Sequence, residues 1–190
     1  MRVTGGLYAG RTLALPKGPR IRPTQDQVRQ ALFNILGDTV QGARVLDLFA
    51  GSGALGIECL SRGASHATFV DRSGFCIAAI EINLESLLGR SSWESSSFLK
   101  ADTLFALPKL AAKNKHFDLV FLDPPYEKDS ARKALSALCR CAIVSETGWV
   151  VAEENKRVSL PQAFGDSESR LMSQRIEIYG DTALAFYARQ

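Results

Sequence analysis

The stretch RVLDLFAGSGALG, residues 44–56, joins an apolar strand signal to a glycine turn. VLDLF (45–49) has the near-continuous apolar character of a strand covered on both faces. Gly51-Ser52-Gly53-Ala54-Leu55-Gly56 then follows the G-x-G-x-x-G spacing, and a helix over 54–62 is expected after it. Glycines in such a turn permit positive φ and let the backbone approach a ligand. The next apolar run, ATFVD (67–71), ends in Asp71, twenty residues after Gly51. A carboxylate there suits a ribose. Strand, glycine turn, helix and acid-tipped strand together predict an α/β protein that binds a nucleotide-like ligand at the carboxyl ends of parallel strands.

Working outward, the alternation continues. Helices are expected over about 75–88, 103–113 and 129–142, with strands at SFLKAD (97–102), FDLVFLD (117–123) and WVVAE (149–153). RIEIY (175–179) and TALAFYA (182–188) flank Gly180-Asp181, which is a hairpin signal. The expectation is a Rossmann-like, mostly parallel seven-stranded sheet whose last strand is antiparallel. Upstream, Thr24 and Gln27 form a capping box, and Val28, Ala31, Leu32, Ile35 and Leu36 make an amphipathic stripe. One domain over 1–190 is expected, with 1–40 a basic, β-rich extension and packing helix, and 41–190 the α/β catalytic core.

Composition narrows the function classes. No run approaches the roughly 20 apolar residues of a membrane span, and MRVTGGLYAGR lacks a signal-peptide core, so a cytoplasmic protein with no membrane partner is expected. Cys59, Cys76, Cys139 and Cys141 are not spaced for zinc or for a disulfide framework, and His66 and His116 stand apart from other ligand types, so no metal is expected. Net charge is +3, but residues 1–30 carry +5 and the remainder −2. A basic arm on a near-neutral body suits phosphate contacts through Arg2, Arg11, Lys17, Arg20 and Arg22. A solvated extension without a partner reads equally well from charge alone.

The glycine loop serves either an NAD-type pyrophosphate or the carboxylate and ribose of S-adenosylmethionine. Asp47, inside the apolar strand, bears on the choice. A buried carboxylate needs a partner, and a cationic cofactor would supply one where a pyrophosphate would repel. Backbone N–H groups of the loop are the other partner available to it. Asp102, closing its strand, can accept from an adenine amine or cap the helix beginning at Thr103.

The most specific signal is FDLVFLDPPYE, residues 117–127. Pro124 and Pro125 fix the backbone at the strand end and remove two N–H donors. Asp123 and the carbonyls there can then accept from one –NH2 group, while Tyr126 offers a face on which a base stacks. A surface turn after a buried strand is the plain alternative. The constellation suits methyl transfer to an exocyclic base nitrogen, with the base drawn out of its stack.

The segments RVTGGLYAGRTL (2–13), RPTQDQVRQALFNIL (22–36), LDLFAGSGALGIECLSRGA (46–64) and VFLDPPY (120–126) resemble the RsmD family of class I S-adenosylmethionine-dependent methyltransferases. The resemblance implies that Asp47, Gly51, Ser52 and Gly53 line the methionine part of S-adenosylmethionine, with Asp71 on its ribose and Asp102 on its adenine edge. Asp123, Pro124, Pro125 and Tyr126 would hold the target base. It implies methylation of the exocyclic N2 amine of a guanine in 16S rRNA, with the GG–GR segment near RNA; a small-subunit particle as substrate and a monomeric enzyme are further expectations. An amino-methyltransferase acting on DNA adenine N6 or cytosine N4 is the alternative. This chain reads Asp71-Arg72-Ser73 where the family often has Glu and a second acid, and Arg29-Gln30 where it often has Arg-Glu.

Overall fold

Leu46 and Leu48 point to one face of their strand and Val45 and Asp47 to the other, and all four are buried. That two-sided burial organises the chain. The computed structural model describes residues 1–16, 26–89, 94–125, 129–167 and 169–190. They form two compact units, Met1–Ala101 and Asp102–Gln190.

In the first unit, α1 (Asp26–Leu36) and a single 3-10 turn lead into β1 (Arg44–Leu48), α2 (Ala54–Ser61), β2 (His66–Asp71), α3 (Gly74–Leu88) and β3 (Ser96–Lys100). β2 lies between β1 and β3 and is parallel to both, with Asp47 opposite Phe69 and Phe69 opposite Phe98. Ahead of α1, Met1–Val3 turns back against Arg11–Leu13 through Val3 N–H to Arg11 O (2.9 Å) and Leu13 N–H to Met1 O (3.0 Å). The expected β-rich extension is thus a small hairpin, anchored by buried Val3 and Leu13.

The buried face of α1 is Val28, Arg29, Leu32, Phe33 and Leu36. Ala31 and Ile35, expected on that face, are half-buried. Phe33 and Arg29 take their place because both meet groups at α2: the Arg62 guanidinium lies 4.8 Å from the Phe33 ring centre, and Arg29 pairs with Glu58. Thr24 of the expected capping box lies outside the described residues.

The second unit holds α4 (Thr103–Ala111), β4 (Phe117–Leu122), α5 (Ser130–Cys141), β5 (Val144–Asn155), β6 (Ala163–Gly165), β7 (Arg170–Tyr179) and β8 (Thr182–Arg189). β4 and β5 are parallel; β5–β8, β8–β7 and β7–β6 are antiparallel, giving the order β4-β5-β8-β7-β6. The hairpin forms where expected, Tyr179 pairing with Thr182 across Gly180-Asp181. The expectation of seven strands needs correction, since the described residues hold eight. The addition is β6, three residues long and too short to show a period in sequence. Three of the cysteines are buried and free and Cys141 is half-buried. Among the described residues no helix is long and apolar enough to cross a membrane.

Candidate functional site

After β1 the chain reverses sharply. Phe49, Gly51 and Gly53 take φ of 63°, 57° and 76°. Glycine adopts this region freely, whereas for a bulky residue such as Phe49 it is an outlier costing about 1–3 kcal/mol. The turn delivers Gly53 as the N-cap of α2, and Gly53 has no side chain with which to cap. The cap comes from the preceding strand. Asp47 Oδ2 accepts from Gly56 N–H at 2.9 Å, satisfying a donor that the first helical turn leaves unpaired.

Gly56 is required for that approach. A Cβ at this position would overlap the Phe69 ring and lie 3.2 Å from Asp47 Oδ2. The third glycine of the motif therefore brings α2 onto the strands. Asp47 is 2% exposed. Burial pushes its carboxyl up to about 7; the Gly56 hydrogen bond opposes the rise and the charge of Asp71 adds to it. Of the two partners open to Asp47 from sequence, the structure supplies the backbone one. Its ability to discriminate between cofactor classes falls accordingly.

Asp71, half-buried at the end of β2, is held at both oxygens. Oδ2 accepts from Gly51 N–H at 2.9 Å and Oδ1 from Ser73 N–H at 2.8 Å. A carboxylate oxygen takes about two hydrogen bonds, so each oxygen retains capacity while the plane of the group is fixed by the loop. This is the chemistry of an acceptor for two adjacent hydroxyls, and it fits a ribose. Ser52 is buried, and its carbonyl accepts from Asn83 Nδ2 at 3.2 Å. The structure therefore brings Asp47, Gly51, Ser52, Gly53 and Asp71 together at the carboxyl ends of β1 and β2.

In the second unit Asp102 caps α4, its Oδ1 accepting from Leu104 N–H at 2.9 Å. One of its two expected roles is thus in place, and its exposed carboxylate keeps a second oxygen. Asp123 follows β4 half-buried, with Pro124 buried and Pro125 exposed. Tyr126 lies outside the described residues, as do Lys17, Arg20 and Arg22 of the basic arm. Arg2 and Arg11 are exposed on the N-terminal hairpin.

The model of the family described as Conserved hypothetical protein 95 matches residues 1–188. The Ribosomal RNA small subunit methyltransferase D of Haemophilus influenzae is 35% identical over 156 residues, covering 82% of this chain and 79% of that protein. Its Escherichia coli K12 namesake is 35% identical over 153 residues, covering 80% and 71%. The chain belongs to the RsmD family of methyltransferases. Bacillus subtilis YlbH, named provisionally as an rRNA methyltransferase, matches this RsmD-family chain at 38% identity over the whole of both proteins. The solved structure of Escherichia coli yhhF, provisionally named a methyltransferase, superimposes with a TM-score of 0.81 at 29% identity over 100% of this chain and 98% of that one. The Rossmann-like methyltransferase fold expected from sequence is thereby established.

Two buried polar groups, Asn83 on α3 and Glu58 on α2, are absent from the sequence expectations, although each stands among apolar residues of its own helix. Asn83 falls beside Ile80 and Leu84 on the buried side of α3, and Glu58 between Ile57 and Cys59 on α2. Gly5 O accepts from Ser61 Oγ at 2.7 Å, and Leu7 N–H donates to Ser61 O at 2.7 Å, so Gly5-Gly6 packs on the end of α2.

Proposed function

We propose that the chain transfers a methyl group from S-adenosylmethionine to the exocyclic N2 amine of a guanine in 16S rRNA of the small ribosomal subunit. The observation that carries the reading is the carboxylate of Asp123 at the end of β4, followed by buried Pro124 and exposed Pro125. The names of relatives that act on small-subunit rRNA support the substrate class. The doubly held carboxylate of Asp71 supports the cofactor, because its two fixed oxygens suit the ribose diol.

S-adenosylmethionine, when bound, supplies an electrophilic methyl group on a sulfonium. The chain's residues act on the other reactant. An exocyclic base amine is a poor nucleophile because its lone pair is delocalised into the ring. Asp123 and the proline-fixed carbonyls accept from its two hydrogens, localise the lone pair and aim it. The benefit is orientation together with electrostatics that strengthen as positive charge grows on nitrogen. Asp123 then takes the proton that the methylated nitrogen releases. Asp71 would hold the cofactor's ribose beside the glycine turn, and Asp47 acts through Gly56 as a positioning residue.

Tritiated methyl transfer to 16S rRNA, naked and in 30S particles, tests the reading; an amino-methyltransferase for DNA would instead label duplex DNA. Asp123→Ala is expected to lower transfer by about 10²–10³-fold. Its affinity for S-adenosylhomocysteine by calorimetry should stay within a few-fold of wild type. Undiminished turnover in the variant, or absence of label in both RNA substrates, would overturn the proposal.

A further inference from the structure

Asn83 is 3% exposed and makes three side-chain hydrogen bonds, none of them within its own helix. Its Oδ1 accepts from Ala14 N–H at 2.7 Å, and its Nδ2 donates to Ala14 O at 3.0 Å. The same Nδ2 donates to Ser52 O at 3.2 Å. The amide thus pairs with Ala14 as a neighbouring strand would, and spends its remaining hydrogen on the glycine loop. All of its donors and one acceptor are committed in a buried place. Ala14 follows directly on the hairpin that carries Arg2 and Arg11 and precedes the chain that carries Lys17, Arg20 and Arg22. Ser52 lies between the two left-handed glycines of the cofactor loop. A second contact runs the same way, from Ser52 Oγ to Met1 Sδ at 3.7 Å.

We propose that Asn83 is a positioning residue that holds the N-terminal hairpin and the cofactor loop as one body, so that cofactor occupancy steadies the hairpin bearing Arg2 and Arg11 for RNA. The inference rests on the cofactor reading above. Its physical basis is geometric. A loop closed on a ligand fixes the Ser52 carbonyl, which fixes the Asn83 amide, which in turn fixes both polar groups of Ala14. Ordering one end then lowers the cost of ordering the other, and the coupling is reciprocal. No other side chain of this length offers one acceptor and two hydrogens in a plane. The substitution Asn83→Asp keeps the acceptor for Ala14 N–H, removes both donors and turns a carboxylate toward two carbonyl oxygens.

Amide hydrogen exchange of the full chain, with and without saturating S-adenosylhomocysteine, tests this. In the wild type the ligand is expected to slow exchange of the Ala14 amide and its hairpin neighbours about fivefold or more, the low end of ordinary coupling. In Asn83→Asp and in Asn83→Leu the ligand should still protect the loop amides of Gly51 and Gly53 while leaving the arm unchanged. A residue needed only for folding would not produce that split. Unchanged Ala14 exchange in wild type carrying bound ligand overturns the proposal, whether or not either variant folds. Full ligand-dependent arm protection in either variant overturns it equally. A missing binding isotherm for S-adenosylhomocysteine would instead remove the cofactor reading, and this inference with it.

Discussion

Asp47 shows how one carboxylate can be both anomalous in sequence and ordinary in structure. Its place in an apolar strand marked it as needing a partner, and the partner is a backbone N–H nine residues on. Its pH behaviour follows. The unfolded carboxyl titrates near its ordinary value of 3.8, the buried one near 7. Well below pH 4 both states hold the proton. As pH rises toward 7 only the unfolded state releases it, so native stability falls through that window, by on the order of 4 kcal/mol at most. Asp47→Asn keeps an acceptor for Gly56 and removes the titration. Urea midpoints between pH 4 and 8 should show the variant gaining on wild type as pH rises; a constant difference would contradict the assignment. Gly56→Ala probes the same contact from the helix. Its methyl group would meet Phe69 and Asp47, and a loss of about 1–3 kcal/mol is expected from overpacking.

At the scale of elements, α2 joins the loop at one end to the arm at the other through Glu58. The Glu58 side chain is fully buried, with Arg62 Nε at 2.9 Å from Oε1 and Arg29 Nε at 3.6 Å from Oε2. Thr4 adds its N–H at 2.7 Å and its hydroxyl at 2.8 Å. Arg29 Nη2 donates to Arg2 O and to Asp26, so the arm, α1 and α2 share one network. Glu58→Gln would leave two guanidinium groups facing a neutral amide, one of them fully buried. Breaking such a pair costs about 3–5 kcal/mol, and thermal unfolding should show a correspondingly lower midpoint with faster exchange of the Thr4 amide. A midpoint indistinguishable from wild type would show that the network does not hold the arm.

The same elements show what could be read in advance. Strands and helices between residues 44 and 142 were legible because apolar runs and glycine turns are local signals. The places of Asp71 and Asp123 were legible because each closes an apolar run, Asp71 ending β2 and Asp123 directly following β4. β6 was not, since three residues carry no period. Nor was the left-handed turn at Phe49, where nothing in an aromatic side chain announces positive φ. The Asn83 and Glu58 junctions depend on partners 69 and 54 residues away, a distance no local pattern spans.

Across the whole molecule, charge divides into cations committed inside and cations left for a partner. Arg29 belongs to the +5 of the first thirty residues, yet it is fully buried and paired with Glu58 and Asp26. It can contribute nothing to an RNA surface. Arg2 and Arg11 are exposed on the hairpin, close to each other in register through the pairing of Arg2 with Thr12. If they contact phosphates, each releases counterions on binding, and the slope of log affinity against log salt carries about 0.7 for each contact to a single strand. Arg2→Gln with Arg11→Gln should therefore weaken binding to a 16S rRNA fragment and flatten that slope by about 1.4. Their exposure predicts an unfolding midpoint close to wild type, since an exposed side chain away from caps and networks moves stability by about 0.5 kcal/mol or less. Arg29→Gln should do the reverse, lowering the midpoint while leaving the salt slope of the folded protein intact. A slope unchanged by the double substitution would show that the hairpin arginines face solvent rather than RNA, and would confine the phosphate contacts to other parts of the chain.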